Sequence, residues 1–373
     1  SRNEKQRIYE NEEFKFEMIS YTKDGNQMRK GGNGERFTIH IEEEQKNEKQ
    51  GDNEWKIVDL NNGKYEVKMK FKEEGRYSIF VQYDGINLNS SPFQIQVFSK
   101  QRNYNEINQP KLTIGNGQFG YPYGITINSK RNILVGDFNN NKIQIFDSDG
   151  NFISTFGSNG NGNGQFQNPI EISINSKGNI IVSDYSNHRI QIFDSDGNFI
   201  STFGSNGKGN GQFTHPWGIC ADKNDRIYVC DHSNHRIQTF DSKGNFISTF
   251  GSNGNGNGQF MNPIGITANS KRNIIVSDYG NHRIQIFDSE GNFISTFGSN
   301  GKGNGQFMNP HGICVDLDDN ILVCDKNNNR IQIFNPNGQY ITQFKVSQPI
   351  GIIIDPNTQN VIVSGEDHQV SIF

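Results

Sequence analysis

The sequence is dominated by a segment that recurs through its last two-thirds. Its clearest copy is Asn281-His282-Arg283-Ile284-Gln285-Ile286-Phe287-Asp288. A Pro-x-Gly-Ile-type segment marks each copy, and its prolines are Pro122, Pro169, Pro216, Pro263, Pro310 and Pro349, spaced 47, 47, 47, 47 and 39 residues apart. A period of this length, with four short apolar runs separated by turn residues, is typical of one four-stranded antiparallel blade per repeat of a β-propeller. The repeat therefore predicts six blades.

The second unit shows where the strands of a blade lie. Its apolar runs predict strands over 170–175, 179–184, 189–194 and 198–203. Ser-Lys-Gly-Asn and Asp-Ser-Asp-Gly-Asn separate these runs, and both favour tight turns because Gly and Asn tolerate positive φ. Residues 179–182 are nearly all apolar rather than alternating, as expected when both faces of a blade pack on neighbouring blades.

The sixth unit is one strand short, because the chain stops after the segment that corresponds to a third strand. Residues 111–115 lie just before the first unit and match the missing fourth strand. A ring removes its sheet edges only when it closes. We therefore predict a six-bladed propeller over 111–373 that is closed by its N-terminal strand.

The first hundred residues follow a different pattern. Alternating apolar and polar residues, as in Phe14-Lys-Phe16-Glu-Met18, predict about seven short antiparallel strands, the pattern of an immunoglobulin-like β-sandwich. We assign residues 1–10 to a charged tail or linker, 11–98 to the sandwich and 99–110 to a linker. Glu42 to Asn53 is predicted to be a charged, loop-like insertion.

Both halves resemble known families. Asn62-Gly63-Lys64-Tyr65-Glu66-Val67, Gly75-Arg76-Tyr77-Ser78-Ile79 and Ser91-Pro92-Phe93-Gln94-Ile95-Gln96-Val97 resemble a filamin-type immunoglobulin repeat. Gly-Gln-Phe, Pro-x-Gly-Ile, Ile-x-Val-x-Asp and Asn-His-Arg-Ile-Gln-Ile-Phe, repeated in that order, resemble NHL repeats. The combination is similar to the C-terminal half of tripartite-motif ubiquitin ligases of the NHL class. The resemblance implies six-bladed propellers that bind proteins or single-stranded RNA on one face, with any RING-based ligase chemistry upstream of Ser1.

Charge and composition exclude several classes of protein. The net charge is −4, and residues 104–373 carry all of it, with 18 Lys and Arg against 22 Asp and Glu. The chain is therefore no polybasic binder, and this acidity argues against RNA without excluding a local basic patch. No apolar run approaches the ~18 residues of a membrane span, and residues 1–10 lack the charged-then-apolar pattern of an export segment, so we expect none.

Four cysteines occupy positions where other units have small residues: Cys220, Cys230, Cys314 and Cys324. This register favours inert structural thiols, and disulfides are the alternative. A zinc site is disfavoured because no Cys-x-x-Cys spacing occurs. Free thiols are typical of a reducing compartment, so we expect a cytoplasmic protein.

An acidic and a basic residue recur together in five units. The second strand ends in Asp137, Asp184, Asp231, Asp278 or Asp325, and five residues later stands Lys142, Arg189, Arg236, Arg283 or Arg330. The sixth unit lacks both charges. We predict an ion pair within each of the five blades, for which Arg236→Ala would cost about 1 to 3 kcal/mol.

Catalysis is not expected from this chain, and we assign it no catalytic residue, metal or cofactor. The recurring histidines His188, His235 and His282 stand in separate blades, which disfavours a shared metal. Glu171 is the one carboxylate at the entry of an innermost strand, where a central metal would need several converging ligands. The Asn-Gly loops lead into strands and not helices, so no nucleotide is expected.

The variable x of Pro-x-Gly is the best indicator of a ligand site. It is Tyr123, Ile170, Trp217, Ile264, His311 or Ile350, and each lies on the same face of the ring as the Asn-His-Arg loops. The residue after each aspartate, Phe138, Tyr185, His232 or Tyr279, shares this face with Arg189, Arg236, Arg283 and Arg330. We predict a central cluster of Tyr123, Trp217 and His311, with Tyr185 and Tyr279 beside it. The alternative is that these rings only plug the channel mouth.

Two functions fit such a face. Aromatic and arginine side chains anchor protein interfaces and also stack unpaired bases. The leading hypothesis is a non-enzymatic scaffold that binds protein partners, as the recognition half of a ubiquitin ligase. The alternative is sequence-selective binding of single-stranded RNA, whose affinity would fall steeply with salt.

Overall fold

The computed structural model describes the strands between Ile8 and Phe98, and residues 104–115 and 117–373. The chain divides into two compact units, Ser1–Arg102 and Asn103–Phe373. In the described part of the chain, no helix is long and apolar enough to cross a membrane.

The N-terminal unit contains two sheets. The first has the strand order Ile8–Tyr9, Phe93–Phe98, Gly75–Tyr83 and Phe37–Glu43, with Ile86–Asn87 paired to Gly75–Tyr83. The second has the order Glu13–Ile19, Lys64–Lys70 and Glu54–Asp59. Alternate residues are buried in both sheets, including Val67 and Met69 in one and Ile79 and Val81 in the other. The predicted alternating strands are confirmed, because strands form over these segments and the buried residues named here are two positions apart, on one face of their strand.

Two predicted boundaries differ from the structure. Residues 1–10 were assigned to a tail, but Ile8–Tyr9 forms a strand that runs parallel to the end of Phe93–Phe98. Residues 99–110 were assigned to a linker, but Tyr104–Glu106 forms a 3₁₀ turn whose Tyr104 is buried in the propeller. Both errors arise because neighbours distant in sequence order these short segments. The predicted insertion begins inside the strand Phe37–Glu43, and residues 44–53 lie outside the described part.

The C-terminal unit is a six-bladed β-propeller, numbered here blades 1 to 6 in chain order. The innermost strands are Pro122–Ile127, Pro169–Ile174, Pro216–Ala221, Pro263–Ala268, Pro310–Val315 and Pro349–Ile354. The second strands are Ile133–Asp137, Ile180–Asp184, Ile227–Asp231, Ile274–Asp278, Ile321–Asp325 and Val361–Gly365. The third strands are Lys142–Phe146, Arg189–Phe193, Arg236–Phe240, Arg283–Phe287, Arg330–Phe334 and Val370–Ile372. The outermost strands are Phe152–Phe156, Phe199–Phe203, Phe246–Phe250, Phe293–Phe297, Tyr340–Lys345 and Leu112–Ile114. Short 3₁₀ turns at Tyr185–Asn187, His232–Asn234, Tyr279–Asn281 and Lys326–Asn328 follow the second strands of blades 2 to 5.

The core of the propeller lies between blades. Every residue of each second strand is buried, as the continuous apolar runs predict. Phenylalanines from the repeated Gly-Gln-Phe and Ile-Gln-Ile-Phe motifs meet in these layers, with the Phe166 and Phe193 rings 5.4 Å apart. Such aromatic pairs add stability beyond the apolar area that they bury. The repeat therefore builds one packed layer per blade interface.

The last blade takes its outermost strand from upstream. Leu112–Ile114 pairs antiparallel with Val370–Ile372. Tyr104 packs in the cluster that contains Phe344 and Phe373, and its hydroxyl donates to Asp316 Oδ2 at 2.9 Å. The segment before the first blade is thus fastened between the fifth and sixth blades.

Candidate functional site: the aromatic face of the propeller

The loops between second and third strands are organised by a buried aspartate. In blade 3, Asp231 is fully buried and accepts a bond from Arg236 Nε at 2.8 Å. It also accepts from the Thr214 backbone N–H, from Asn234 Nδ2 and from Gln238 Nε2. The same ion pair forms in blades 2, 4 and 5, between Arg189 and Asp184, Arg283 and Asp278, and Arg330 and Asp325, at 2.7–2.8 Å. The predicted pair is confirmed in these four blades.

The rest of each guanidinium group holds a second loop. Arg236 Nη2 donates to the carbonyls of Gly209 and Gln212, at 2.7 and 3.0 Å. These carbonyls belong to the glycine-rich loop that enters the same blade, so each arginine joins two loops. The arginine contacts its aspartate through Nε alone, and its Nη2 is used on the backbone. The Nε and Nη2 atoms of Arg189, Arg236, Arg283 and Arg330 therefore donate within the protein, whereas Nη1 of Arg236 and of Arg283 makes no hydrogen bond among the described residues.

Blade 1 differs from this arrangement. Asp137 accepts from the backbone N–H groups of Gly120 and Tyr121 and from Asn140 Nδ2 and Gln144 Nε2. Among the described ion pairs, Lys142 has none with Asp137. The ion pair predicted for this blade is therefore wrong, because Asp137 already accepts four hydrogen bonds from uncharged donors.

The histidines of the repeat link neighbouring blades. His188, His235 and His282 adopt left-handed conformations, with φ of 54–57°. Their Nδ1 atoms accept the backbone N–H of His215, Asn262 and Asn309 in the next blade, each at 3.1 Å. Asn141 and Asn329 occupy the same register and accept the N–H of Asn168 and Gln348 through Oδ1. Asn is among the residues that enter the left-handed region most readily, so the alternation of His and Asn was a signal for this contact.

Three side chains meet at the centre of the ring. The innermost strands carry a register shift just after each proline, and the x residue of Pro-x-Gly lies within it. Ring centroids are 5.8 Å apart for Tyr123 and Trp217, 6.0 Å for Tyr123 and His311, and 5.7 Å for Trp217 and His311. Residues from blades 1, 3 and 5 are thereby brought into one cluster.

The aromatic residues that follow each aspartate surround this cluster. Phe138 lies 5.0 Å from Tyr123, Tyr185 5.3 Å from Trp217, His232 5.0 Å from Trp217 and Tyr279 6.3 Å from His311. We call these four residues, together with Tyr123, Trp217 and His311, the aromatic face. Its seven side chains therefore form a continuous network of ring contacts.

The members of the aromatic face differ in exposure. His311 is 4% exposed, and its Nδ1 lies 3.2 Å from the Ile350 carbonyl, which identifies Nδ1 as a donor. Burial, followed by the charge of Lys326, lowers the pKa of His311 to about 3. Burial likewise lowers the pKa of His232 to about 4 and raises that of Tyr123 to about 12. His311 therefore supports the Tyr123 and Trp217 rings, which retain part of their exposure.

One polar atom of this face has no partner. The indole Nε1 of Trp217 is buried, and no hydrogen-bond acceptor lies within reach of it in the described structure. Buried indole N–H groups usually have an acceptor. Trp217 is thus held in place by ring contacts and by packing against the apolar core of blades 3 and 4, and not by a hydrogen bond through Nε1.

Sequence reasoning missed two charged members of the ring around the centre. Lys326 and Glu366 stand where blades 1 to 4 place an aromatic residue, and Lys326 Nζ lies 2.6 Å from Glu366 Oε1. Tyr121 also lies here, 5.0 Å from Tyr123 and 5.6 Å from His368. The register that identified Phe138 and Tyr185, extended to units five and six, would have found Lys326 and Glu366.

Other candidate ligands do not converge. Among the described residues, no three His, Cys, Asp or Glu side chains come together as a metal site would require. All four cysteines are free and buried. Burial raises the pKa of the Cys220 and Cys314 thiols far above the usual value. These observations agree with structural thiols.

Comparison with known families supports both resemblances. The Filamin/ABP280 repeat model matches residues 3–94. The NHL repeat model matches residues 119–146, 166–193, 213–240, 260–287 and 307–334, which lie in the first five units.

Curated relatives match part of the chain. Protein lin-41 of Caenorhabditis elegans is 37% identical over 88 residues, which is 22% of this chain and 8% of that protein. E3 ubiquitin-protein ligase TRIM71 of Rattus norvegicus is 34% identical over 101 residues, 26% of this chain and 12% of that protein. The chain thus matches only about a tenth of the length of these relatives.

Solved structures share the fold. A protein of unknown function from Bacteroides thetaiotaomicron aligns over 100% of this chain and 99% of its own, with a TM-score of 0.57 and 13% identity. A gluconolactonase from Xanthomonas campestris aligns over 68% of this chain and 86% of its own, with a TM-score of 0.53 and 13% identity. At these identities the likeness concerns the fold alone. The chain contains a filamin repeat followed by NHL repeats, and about a quarter of it is similar to part of lin-41 and of TRIM71.

Proposed function

We propose that this chain is a non-catalytic recognition scaffold that binds protein partners through the aromatic face of its propeller. The observation that carries the proposal is the cluster of Tyr123, Trp217 and His311, in which three blades bring ring systems within 6.0 Å of one another. Aromatic side chains that pack against buried neighbours are the usual anchors of protein interfaces.

The distribution of cations favours protein over RNA as the ligand. The four arginines near the face donate to aspartates and loop carbonyls, and Lys326 is paired with Glu366. Binding of a nucleic acid depends on cations that can reach phosphates. The centre of the face offers aromatic surface with little free positive charge, which suits an uncharged or mixed protein surface.

Similarity to a ubiquitin ligase supports a place in ubiquitination. TRIM71 is named as an E3 ubiquitin-protein ligase, and this chain matches part of it. We propose that the chain selects the substrate of such a ligase, while the catalytic transfer belongs to a RING domain elsewhere. In this role the propeller would need only to bind and orient the substrate.

The test compares two double variants in pull-down experiments. Tyr123→Ala/Trp217→Ala removes two rings of the face. Ile200→Ala/Ile247→Ala is the matched control, because both isoleucines are about half exposed on outermost strands, at 50% and 47%. We expect the first variant to lose partner capture by at least tenfold and the control to retain it, at unchanged melting temperatures. If every wild-type partner binds both variants equally, the site lies elsewhere.

Single-stranded RNA is the second candidate, favoured by the stacked rings of Tyr185 and His215, whose centroids are 4.6 Å apart. Lys208 and Lys302 are exposed in the glycine-rich loops at the rim of this face and could reach phosphates. Lys208→Glu/Lys302→Glu would then weaken RNA binding and its salt dependence, while leaving capture of a protein partner within about twofold. If fluorescent RNA binds equally well at low and high salt, and equally well to the wild type and to this variant, its phosphates are not bound by these lysines. That result would argue against this candidate.

A further inference from the structure

One blade breaks the pattern of the innermost strands at the position after x. Five blades have glycine there: Gly124, Gly218, Gly265, Gly312 and Gly351. A Cβ on Gly218 would clash with the Ile264 carbonyl of the next blade, and one on Gly351 with the Tyr123 carbonyl. Blade 2 has Glu171 instead. It is the one carboxylate that the innermost strands carry at this position around the axis.

The side chain of Glu171 lies at the inner edge of blades 1 and 2. A Cβ placed on Gly124 would be 2.5 Å from Glu171 Oε1, so the carboxyl group occupies space that this glycine leaves open. Glu171 keeps an intermediate solvent exposure. Its charge adds to the effect of burial in raising the pKa of Cys230 and Cys324, which belong to blades 3 and 5. Because Glu171 and Gly124 both belong to innermost strands, the carboxyl group lies beside the central axis of the ring.

This carboxyl group has little internal compensation. The hydrogen bond that it accepts comes from the Ile172 N–H at 3.3 Å. Among the described ion pairs, none includes Glu171. Burial raises its pKa to about 8. A carboxylate that is only partly hydrated and has no cationic partner is unfavourable, so a cation supplied from outside would be bound with a gain in free energy.

The aromatic cluster stands directly before this position in the chain. Tyr123 precedes Gly124, and Trp217 precedes Gly218, so the rings lie one residue closer to the mouth than the level of Glu171. Trp217 makes no hydrogen bond through Nε1, so displacement of its indole breaks none. Aromatic rings attract cations over their faces. The apolar stem of a cationic side chain would thus contact the Tyr123 and Trp217 rings, and its charge would lie near the Glu171 carboxyl group.

We propose that the protein partner inserts one lysine or arginine side chain between Tyr123 and Trp217, so that its cation pairs with Glu171. The proposal rests on the proposed function and names the chemistry of the partner, a projecting basic side chain. The four-carbon stem of lysine can pack between the Tyr123 and Trp217 rings. Its ammonium group then supplies the positive partner that Glu171 lacks.

The test uses two peptides that differ only in charge. Acetyl-Gly-Gly-Lys-Gly-Gly-amide and its norleucine counterpart are titrated into the full chain, and the emission of Trp217 is followed. Trp55→Phe in all proteins removes the second of the two tryptophans. We expect the lysine peptide to bind at least tenfold more tightly than the norleucine peptide. Glu171→Gln and Glu171→Gly should reduce this preference to within twofold.

Glu171→Gly restores the residue of the other five blades, so it is expected to keep or raise the melting temperature. Should it fail to fold, Glu171→Gln decides. The proposal is overturned if either folded variant keeps the tenfold preference, or if the wild type shows no saturable change. Partner capture separates this result from the proposed function. Loss of capture in Tyr123→Ala/Trp217→Ala but not in Glu171→Gly would retain the recognition face and reject the inserted cation.

Discussion

The pairing of Arg236 with Asp231 offers a sharp test of what holds the propeller loops. Arg236→Ala removes an ion pair of 2.8 Å to a fully buried carboxylate and two bonds to the carbonyls of Gly209 and Gln212. Removing one partner of a buried pair costs about 3 to 5 kcal/mol. Asp231 retains donors from Thr214, Asn234 and Gln238, which reduces this cost. We expect a loss of about 2 to 4 kcal/mol, above the value that the sequence suggested.

The assay is thermal unfolding followed by circular dichroism. For a domain of this size, 1 kcal/mol corresponds to a shift of roughly 2 to 4 °C. The expected fall in the melting temperature of the propeller is therefore roughly 5 to 15 °C. Urea denaturation should show a lower midpoint with an unchanged slope, since the same surface is exposed on unfolding.

Blade 1 supplies the matched control. Lys142 occupies the same register without an ion pair to Asp137, whose four donors come from elsewhere. Lys142→Ala should change stability by less than about 0.5 kcal/mol. A melting temperature of Arg236→Ala equal to that of the wild type would refute the role of the pair. An equal fall in both variants would show that the aliphatic stem, and not the charge, is responsible.

Three further predictions concern buried groups. The pKa of His311 falls from about 6.5 in an unfolded chain to about 3 on folding, so its stabilising contribution is present above pH 6.5 and is lost as the pH falls towards 3. About 2 kcal/mol should be lost between pH 7 and pH 5, and His311→Ile, which copies Ile264, should weaken this dependence in acid titrations of stability. An unchanged acid profile would contradict this. Tyr104→Phe removes the bond to Asp316 and should cost about 1 to 2 kcal/mol in urea denaturation; no change would show that Tyr104 acts through packing alone. The thiols of Cys220, Cys230, Cys314 and Cys324 are buried, so an aromatic disulfide reagent should label them only on unfolding, and rapid labelling of the native protein would refute their burial.

The repeat made most of the propeller predictable. In blade 2, the strands were expected over 170–175, 179–184, 189–194 and 198–203, and they lie at Pro169–Ile174, Ile180–Asp184, Arg189–Phe193 and Phe199–Phe203. Each boundary differs by at most one residue. Local turn chemistry, confirmed at Gly178 with φ of 81° and Gly197 with φ of 87°, fixes these limits. Five near-identical copies then reinforce a pattern that one copy would leave ambiguous.

The candidate site was only partly predictable. That Tyr123, Trp217 and His311 would approach one another follows from their equal register and the ring symmetry. The burial of His311 does not follow, because it depends on contacts such as that with the Ile350 carbonyl of the next blade. The arginines looked available for a ligand, since a sequence shows charge but not the carbonyls that accept from it. Tyr104 was unrecognised for a related reason, as its partner Asp316 lies 212 residues away.

The pairing of Leu112–Ile114 with Val370–Ile372 has a consequence for biosynthesis. The first strand of the propeller to leave the ribosome is the partner of the last one. Blades 1 to 5 take all four strands from consecutive segments and can form as each is translated. Blade 6 has to wait until Val370–Ile372 has emerged, and until then Leu112–Ile114 stays without its neighbour. The nascent chain therefore carries an open strand edge throughout translation of the propeller, and this is the interval in which a chaperone or a second nascent chain would compete for it.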